Sequence, residues 1–221
     1  MPTNLDYIKQ VHLSDIPWER LSTPYESAAE FPAWFRQMAD ENDNIAGRAA
    51  NDIALNVEHQ STLWQVTPFA MIILDRMLTA AVEKYAHTRD DGDKPIIIRI
   101  LEIYEAIFDT ARFMNNEVGR FEPLPHFSDM LKPEYLLPPP AAFADEEDPE
   151  EALEAYLEEQ YADMPEDLFY SFFYYAWLVL ALSLNKNVYK LIEFNDVEIN
   201  SLLDKMGDKQ TRAFIDGLMY E

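Results

Sequence analysis

The stretch Leu168–Leu184 carries no charged residue, and a fold built from this chain has to keep it out of water. Apolar surface costs about 25 cal/mol per Å² to expose, and a domain's net stability is only about 5–15 kcal/mol, so such a run dictates its surroundings. At seventeen residues it is shorter than the roughly 20 residues of a membrane span. Its entering side also lacks the basic flank that orients a span. The reading is a central core helix, and the rest of the chain must supply its cover.

That cover reads as helical. Among 221 residues there are only 5 glycines, and 13% are aromatic, a balance that suits long helices better than a turn-rich β fold. The chain is long enough for a sizeable core. From Asn44 to Val57 the set Ile45, Ala49, Ile53 and Val57 recurs every four residues. From Phe69 to Tyr85, Phe69, Ile73, Met77, Ala81 and Val82 lie apart from Asp75, Arg76, Thr79 and Glu83. Between the two, Thr67 and Pro68 mark a helix start, because a hydroxyl caps free N–H groups and proline's fixed φ suits the first turn. An antiparallel helix pair is expected, with Glu58–Phe69 as its corner. His59, Gln60, Thr62 and Pro68 are its structural residues, and His59, Gln60 and Thr62 are expected to hydrogen-bond exposed helix ends.

Other elements follow from local signals. Met1–Val11 reads as a loose lead-in and Asp15–Leu21 as a short helix. A helix starting near Ser27 or at Pro32 runs to about Asp40. Asp93 is placed as the cap of a third long helix that has Pro95 in its first turn and ends near Asn115. Prolines 123, 125, 133 and 138–140 forbid a long helix between Gly119 and Phe143, and the triproline segment should be extended. A helix from Asp148 or Pro149 to Tyr161 buries Leu153, Tyr156 and Leu157, and the tail adds helices over Asp196–Met206 and Asp208–Met219. The expected organisation is helical repeats over 1–118, a Pro-rich and acidic connector over 119–147, and C-terminal helices on the same core over 148–221.

Charge and residue types narrow the function. With 41 acids against 17 bases the formal charge is −24, which repels DNA, RNA and anionic lipid and favours a basic protein partner. No lysine or arginine occurs from Pro133 to Asn185, and twelve acids fall between Asp145 and Asp167. Three roles fit this block: a solvated loop, a docking surface for a basic protein, or a cation site, although the spacing is not that of a calcium loop. The expected partner-binding residues are Asp145, Glu146, Glu147, Asp148, Glu150, Glu151, Glu154 and Glu158. With no cysteine there is no disulfide, zinc–thiolate site or thiol nucleophile. The four histidines lack metal spacing; Glu83 and His87, at i and i+4, read as a helix-end pair. No Gly-rich phosphate loop or Gly-x-Ser-x-Gly elbow is present. No catalytic residue, metal or cofactor is expected. Met1–Gln10 has no basic segment followed by an apolar one, so the expected compartment is the cytoplasm.

One pattern carries a resemblance. Trp18-x2-Leu21-x3-Tyr25-x2-Ala28-x3-Pro32 is followed by the Ala46–Val57 run, His59-Gln60-x-Thr62 and Val66-x-Pro68-Phe69. Over about Ile16–Phe113 the chain resembles a family of bacterial HEAT-repeat-like proteins. The resemblance implies stacked antiparallel helix pairs, a protein-binding role and no enzymatic activity. Some similar proteins look like immunity proteins encoded beside secreted toxins, so the expectation is neutralisation of a basic toxin by direct occlusion. The alternative is an acidic helical adaptor with no toxin partner.

Overall fold

The structure, a computed structural model, describes residues 3–118, 122–144 and 148–206. The helix expected over Asp208–Met219 lies outside the described residues, as do Asp145, Glu146 and Glu147. The fold is all-α. Its helices are α1 (Asn4–Gln10), α2 (Phe31–Met38), α3 (Asp43–Val57), α4 (Val66–Thr88), α5 (Lys94–Val118), α6 (Pro149–Ala162), α7 (Glu166–Glu193) and α8 (Val197–Met206). The strand pair β1 (Glu58–His59) and β2 (Thr62–Leu63) closes the α3–α4 corner. Short 3-10 turns fill the connections.

Side-chain pairs give the helix directions. Arg99 meets Asp43, and Thr110 meets Glu58 at 3.2 Å, so α3 and α5 run the same way. Lys94–Asp196 (2.9 Å) and Lys205–Glu105 (2.7 Å) align α8 with α5. Asp75–Lys186 (3.7 Å), Thr79–Asn187 (3.3 Å) and Glu83–Lys190 (3.6 Å) ascend together, so α4 and α7 are parallel. Phe108 stacks on Trp177 at 5.3 Å while Tyr104 bonds Ser183 at 3.0 Å, so α7 runs against α5. The result is one layer of α3, α5 and α8 packed on an oppositely directed pair, α4 and α7.

The core runs along that pair. Every residue from Val66 to Leu74 is buried, so the start of α4 has no wet side. α7 is the expected core helix but extends well beyond Leu168–Leu184. Polar residues do not end it at Asn185, because Asn187 is buried and donates to the Ser183 carbonyl (2.9 Å) and to Thr79 on α4. The helix is therefore long enough and apolar enough to cross a membrane, and 72% of its most apolar window is buried by the protein itself. Its length no longer argues against a span; its burial does.

Three local expectations are corrected. The lead-in is helical, because Thr3 and Asp6 form a reciprocal capping box that offsets the cost of starting α1. Asp15–Leu21 is not one helix but part of two 3-10 turns, Leu13–Asp15 and Trp18–Arg20, separated by Pro17. Asp93 does not cap α5: its carboxylate accepts from Lys84 (2.6 Å) and Thr88 (2.9 Å), while Asp90 caps the preceding turn through Gly92 N–H. The helix before α3 takes the later start, with Pro32 in its first turn.

Residues 122–137 are stitched to the body. Ser171 Oγ accepts from Leu124 N–H (2.8 Å), and Tyr175 donates to the Leu124 carbonyl (2.6 Å). Phe127 is fully buried against Tyr7, Phe69 and Tyr175. Arg20 and Leu137 exchange backbone and guanidinium bonds at 2.9 and 2.8 Å.

Candidate functional site

Two sequence features that lie some ninety residues apart meet at one end of the helix layers. The first is the α3–α4 corner. Gln60 and Ser61 both have positive φ (52° and 60°), the geometry of a tight hairpin turn. His59 pairs with Thr62 across that hairpin, Gln60 is exposed at its tip, and Pro68 is buried in the first turn of α4. The helix-end bonds expected of His59, Gln60 and Thr62 are made by neighbours instead. Thr67 Oγ1 donates to the Val57 carbonyl at 2.5 Å, closing the end of α3, and accepts from Trp64 N–H at 3.0 Å. Buried Gln65 accepts from Ser22 N–H (3.3 Å) and donates to the carbonyls of Met130 (2.8 Å) and Tyr135 (3.0 Å). The sequence placed Thr67 as the cap of α4; instead α4 begins at Val66 with Gln65 at the cap position and no side-chain cap bond, and the Thr67 hydroxyl serves the end of α3. Nothing in the sequence around Gln65 marked its bonds.

His59 reaches outward rather than along the helices. Its Nδ1 lies 3.1 Å from the Tyr25 hydroxyl, and the two rings meet edge to face at 5.1 Å. Tyr25 sits on a tight loop that buried Thr23 organises: its hydroxyl donates to the Glu26 carbonyl and accepts from the Tyr25 and Glu26 N–H groups. That loop and the hairpin present an aromatic wall.

The second feature is α6. Asp148 accepts from Glu151 N–H at 3.2 Å just ahead of Pro149, a capping residue followed by proline. Leu157 is buried and Leu153 and Tyr156 are half-buried, the inner face expected of them. Aromatic contacts hold the helix down: Tyr156 on Phe143 (6.0 Å), Tyr161 stacked on Trp64 (5.3 Å), and Tyr161 against Phe169 (6.1 Å). Asp148, Glu151, Glu154 and Glu158 are exposed, and Glu150 lies on the same helix. Spacings of three and four residues put Glu151, Glu154 and Glu158 on one face.

Between α6 and the Tyr25 loop lies an open groove of about 810 Å³. Tyr25, Trp64 and Tyr161 line it, with Glu26, Asp148, Glu151, Glu154 and Glu158, and among the described residues no lysine or arginine lines it. The described lining therefore carries negative charge on both walls. A second cleft, of about 550 Å³, differs in kind: Lys84 and Arg99 pair there with Asp93 and Asp43. His87 uses Nδ1 to donate to the Glu83 carbonyl at 2.7 Å, a bond of the α4 terminus. Among the described residues no group of three or more His, Asp or Glu side chains is arranged to hold a metal ion. Chemically, the groove is suited to binding cations on aromatic faces. No protein-family model, curated protein or solved structure matches the chain.

Proposed function

We propose that this protein is a non-enzymatic, HEAT-like binding protein that neutralises a basic bacterial toxin in the cytoplasm by occluding it. The observation that carries this reading is the juxtaposition of the exposed acids of α6 with the aromatic wall of the α3–α4 corner, on a chain of charge −24. The HEAT-like part of the reading is supported by the alternation of directions. α3, α5 and α8 form one layer and α4 and α7 the other, as stacked antiparallel pairs would. Dense negative charge accelerates encounter with a cationic protein, with rates up to about 10⁸–10⁹ M⁻¹s⁻¹ at low salt. A toxin has to be captured before it acts, so a fast encounter is useful.

The test is stopped-flow binding to the basic product of the neighbouring gene. Glu151→Gln/Glu154→Gln/Glu158→Gln should slow association about tenfold and leave dissociation less affected, because steering acts on encounter. Unchanged association in that variant would remove the docking role of α6. A neighbouring gene product that is neither basic nor toxic would remove the immunity reading.

A further inference from the structure

We infer that the groove between α6 and the Tyr25 loop takes an extended, arginine-bearing segment of the partner protein. This names the partner's contact chemistry and rests on the function proposed above. Two tyrosines of the lining stay open to solvent, Tyr25 at 52% and Tyr161 at 41% exposure, although the chain has ample core to bury them. Large aromatics displayed together in a concave site offer faces for stacking. Carboxylates line the same groove from both sides, Glu26 from the loop and Glu154 and Glu158 from α6.

Arginine satisfies both features at once. Its planar guanidinium lies flat on an aromatic ring and forks onto a carboxylate, whereas lysine is a strongly hydrated point charge that does neither as well. The spacing favours an extended chain. Glu154 and Glu158 are four helical residues apart, about 6 Å along the axis. Alternate residues on one face of an extended segment are about 6.6 Å apart, so an Arg-x-Arg pair matches them. Other occupants are disfavoured by sign: nucleic acid, anionic lipid and a second copy of this chain would each bring negative charge into a negative groove.

The probe is a fluorescein-labelled peptide of alternating arginine and glycine, followed by anisotropy, beside a lysine–glycine peptide of equal charge. The arginine peptide should bind the full chain saturably, about tenfold tighter than the lysine peptide, a difference of about 1.4 kcal/mol. Glu154→Gln/Glu158→Gln and, separately, Tyr161→Leu should each weaken it about tenfold. The charge-matched control Glu102→Gln/Glu198→Gln, at exposed positions outside the groove lining, should change it less than about twofold. If Tyr161→Leu fails to fold, the exposed glutamate pair still carries the test. Equal weakening by groove and control variants, or no preference for arginine, overturns the inference, because the peptide would then sense only net charge. Either result leaves the wider reading standing. That reading fails separately if the neighbouring gene product does not bind the wild-type chain.

Discussion

Gln65 lies between Trp64 and Val66, 1% exposed, and its carboxamide joins three segments that are far apart in sequence. Gln65→Leu keeps the volume but leaves the Ser22 N–H and two carbonyls without their partner. Each buried polar group so stranded costs about 1–3 kcal/mol, so with three of them the variant should lose at least about 3 kcal/mol in urea denaturation. A loss under about 1 kcal/mol would mean that water replaces the carboxamide. Tyr104 makes a second case at this scale. Burial pushes its hydroxyl well above the usual tyrosine range, with the Asp75 carboxylate adding to the effect; Tyr175 is likewise raised by burial, with Tyr174 adding to it. In the unfolded chain both ionise near pH 10. The folded state holds these protons more tightly, so the stabilisation is complete below about pH 10 and is lost as pH rises toward the folded values. Tyrosinate absorbance from Tyr104 and Tyr175 should therefore appear together with loss of far-UV helix signal. Ionisation of every tyrosine with the helices intact would contradict this.

At the scale of elements, α7 is the apolar helix packed against α4, α5 and α8. Leu180 is fully buried, so Leu180→Ala removes methyl groups and leaves a cavity, at a cost of about 2–5 kcal/mol in chemical denaturation. The protein should also be recovered from the soluble fraction without detergent. Recovery only from membranes would reverse the assignment of α7 as a core helix. The C-terminal part of this helix was not legible in the sequence, where Asn185, Lys186 and Asn187 look like an end. Pairing with α4 carries the helix onward: buried Asn187 bonds Thr79, and Lys186 and the later Lys190 form ion pairs with Asp75 and Glu83. α1 had the opposite problem. Its Thr3-x-x-Asp6 capping signal was present in the sequence, but so short a helix has a costly nucleus and its position depends on contacts made later. One of these is Arg76, which donates to the Ile8 carbonyl at 3.0 Å near the end of α1.

For the whole molecule, charge acts on stability as well as on encounter. A formal charge of −24 in a compact shape repels itself, and the screening length falls from about 30 Å at 0.01 M salt to about 8 Å at 0.15 M. Over that range Tm should rise by about 2–4 °C, the shift that about 1 kcal/mol produces in a chain of 150–250 residues. A fall in Tm would show that ion pairs such as Lys84–Asp93 and Lys94–Asp196 outweigh the repulsion. The all-α class, the long helices from Asp43 to Val118 and the acidic face of α6 could be read from the sequence. Each rests on a repeat of three to four residues or on a cap, and these signals are local. The groove could not be read in this way. It needs Tyr25, Trp64 and Tyr161 in one place, and that depends on Gln65 and Thr67 satisfying distant backbone groups and on α6 settling on an aromatic patch. Helical periodicity says which face of an element is apolar. Which apolar faces meet is decided by packing and hydrogen-bond satisfaction summed over the whole chain.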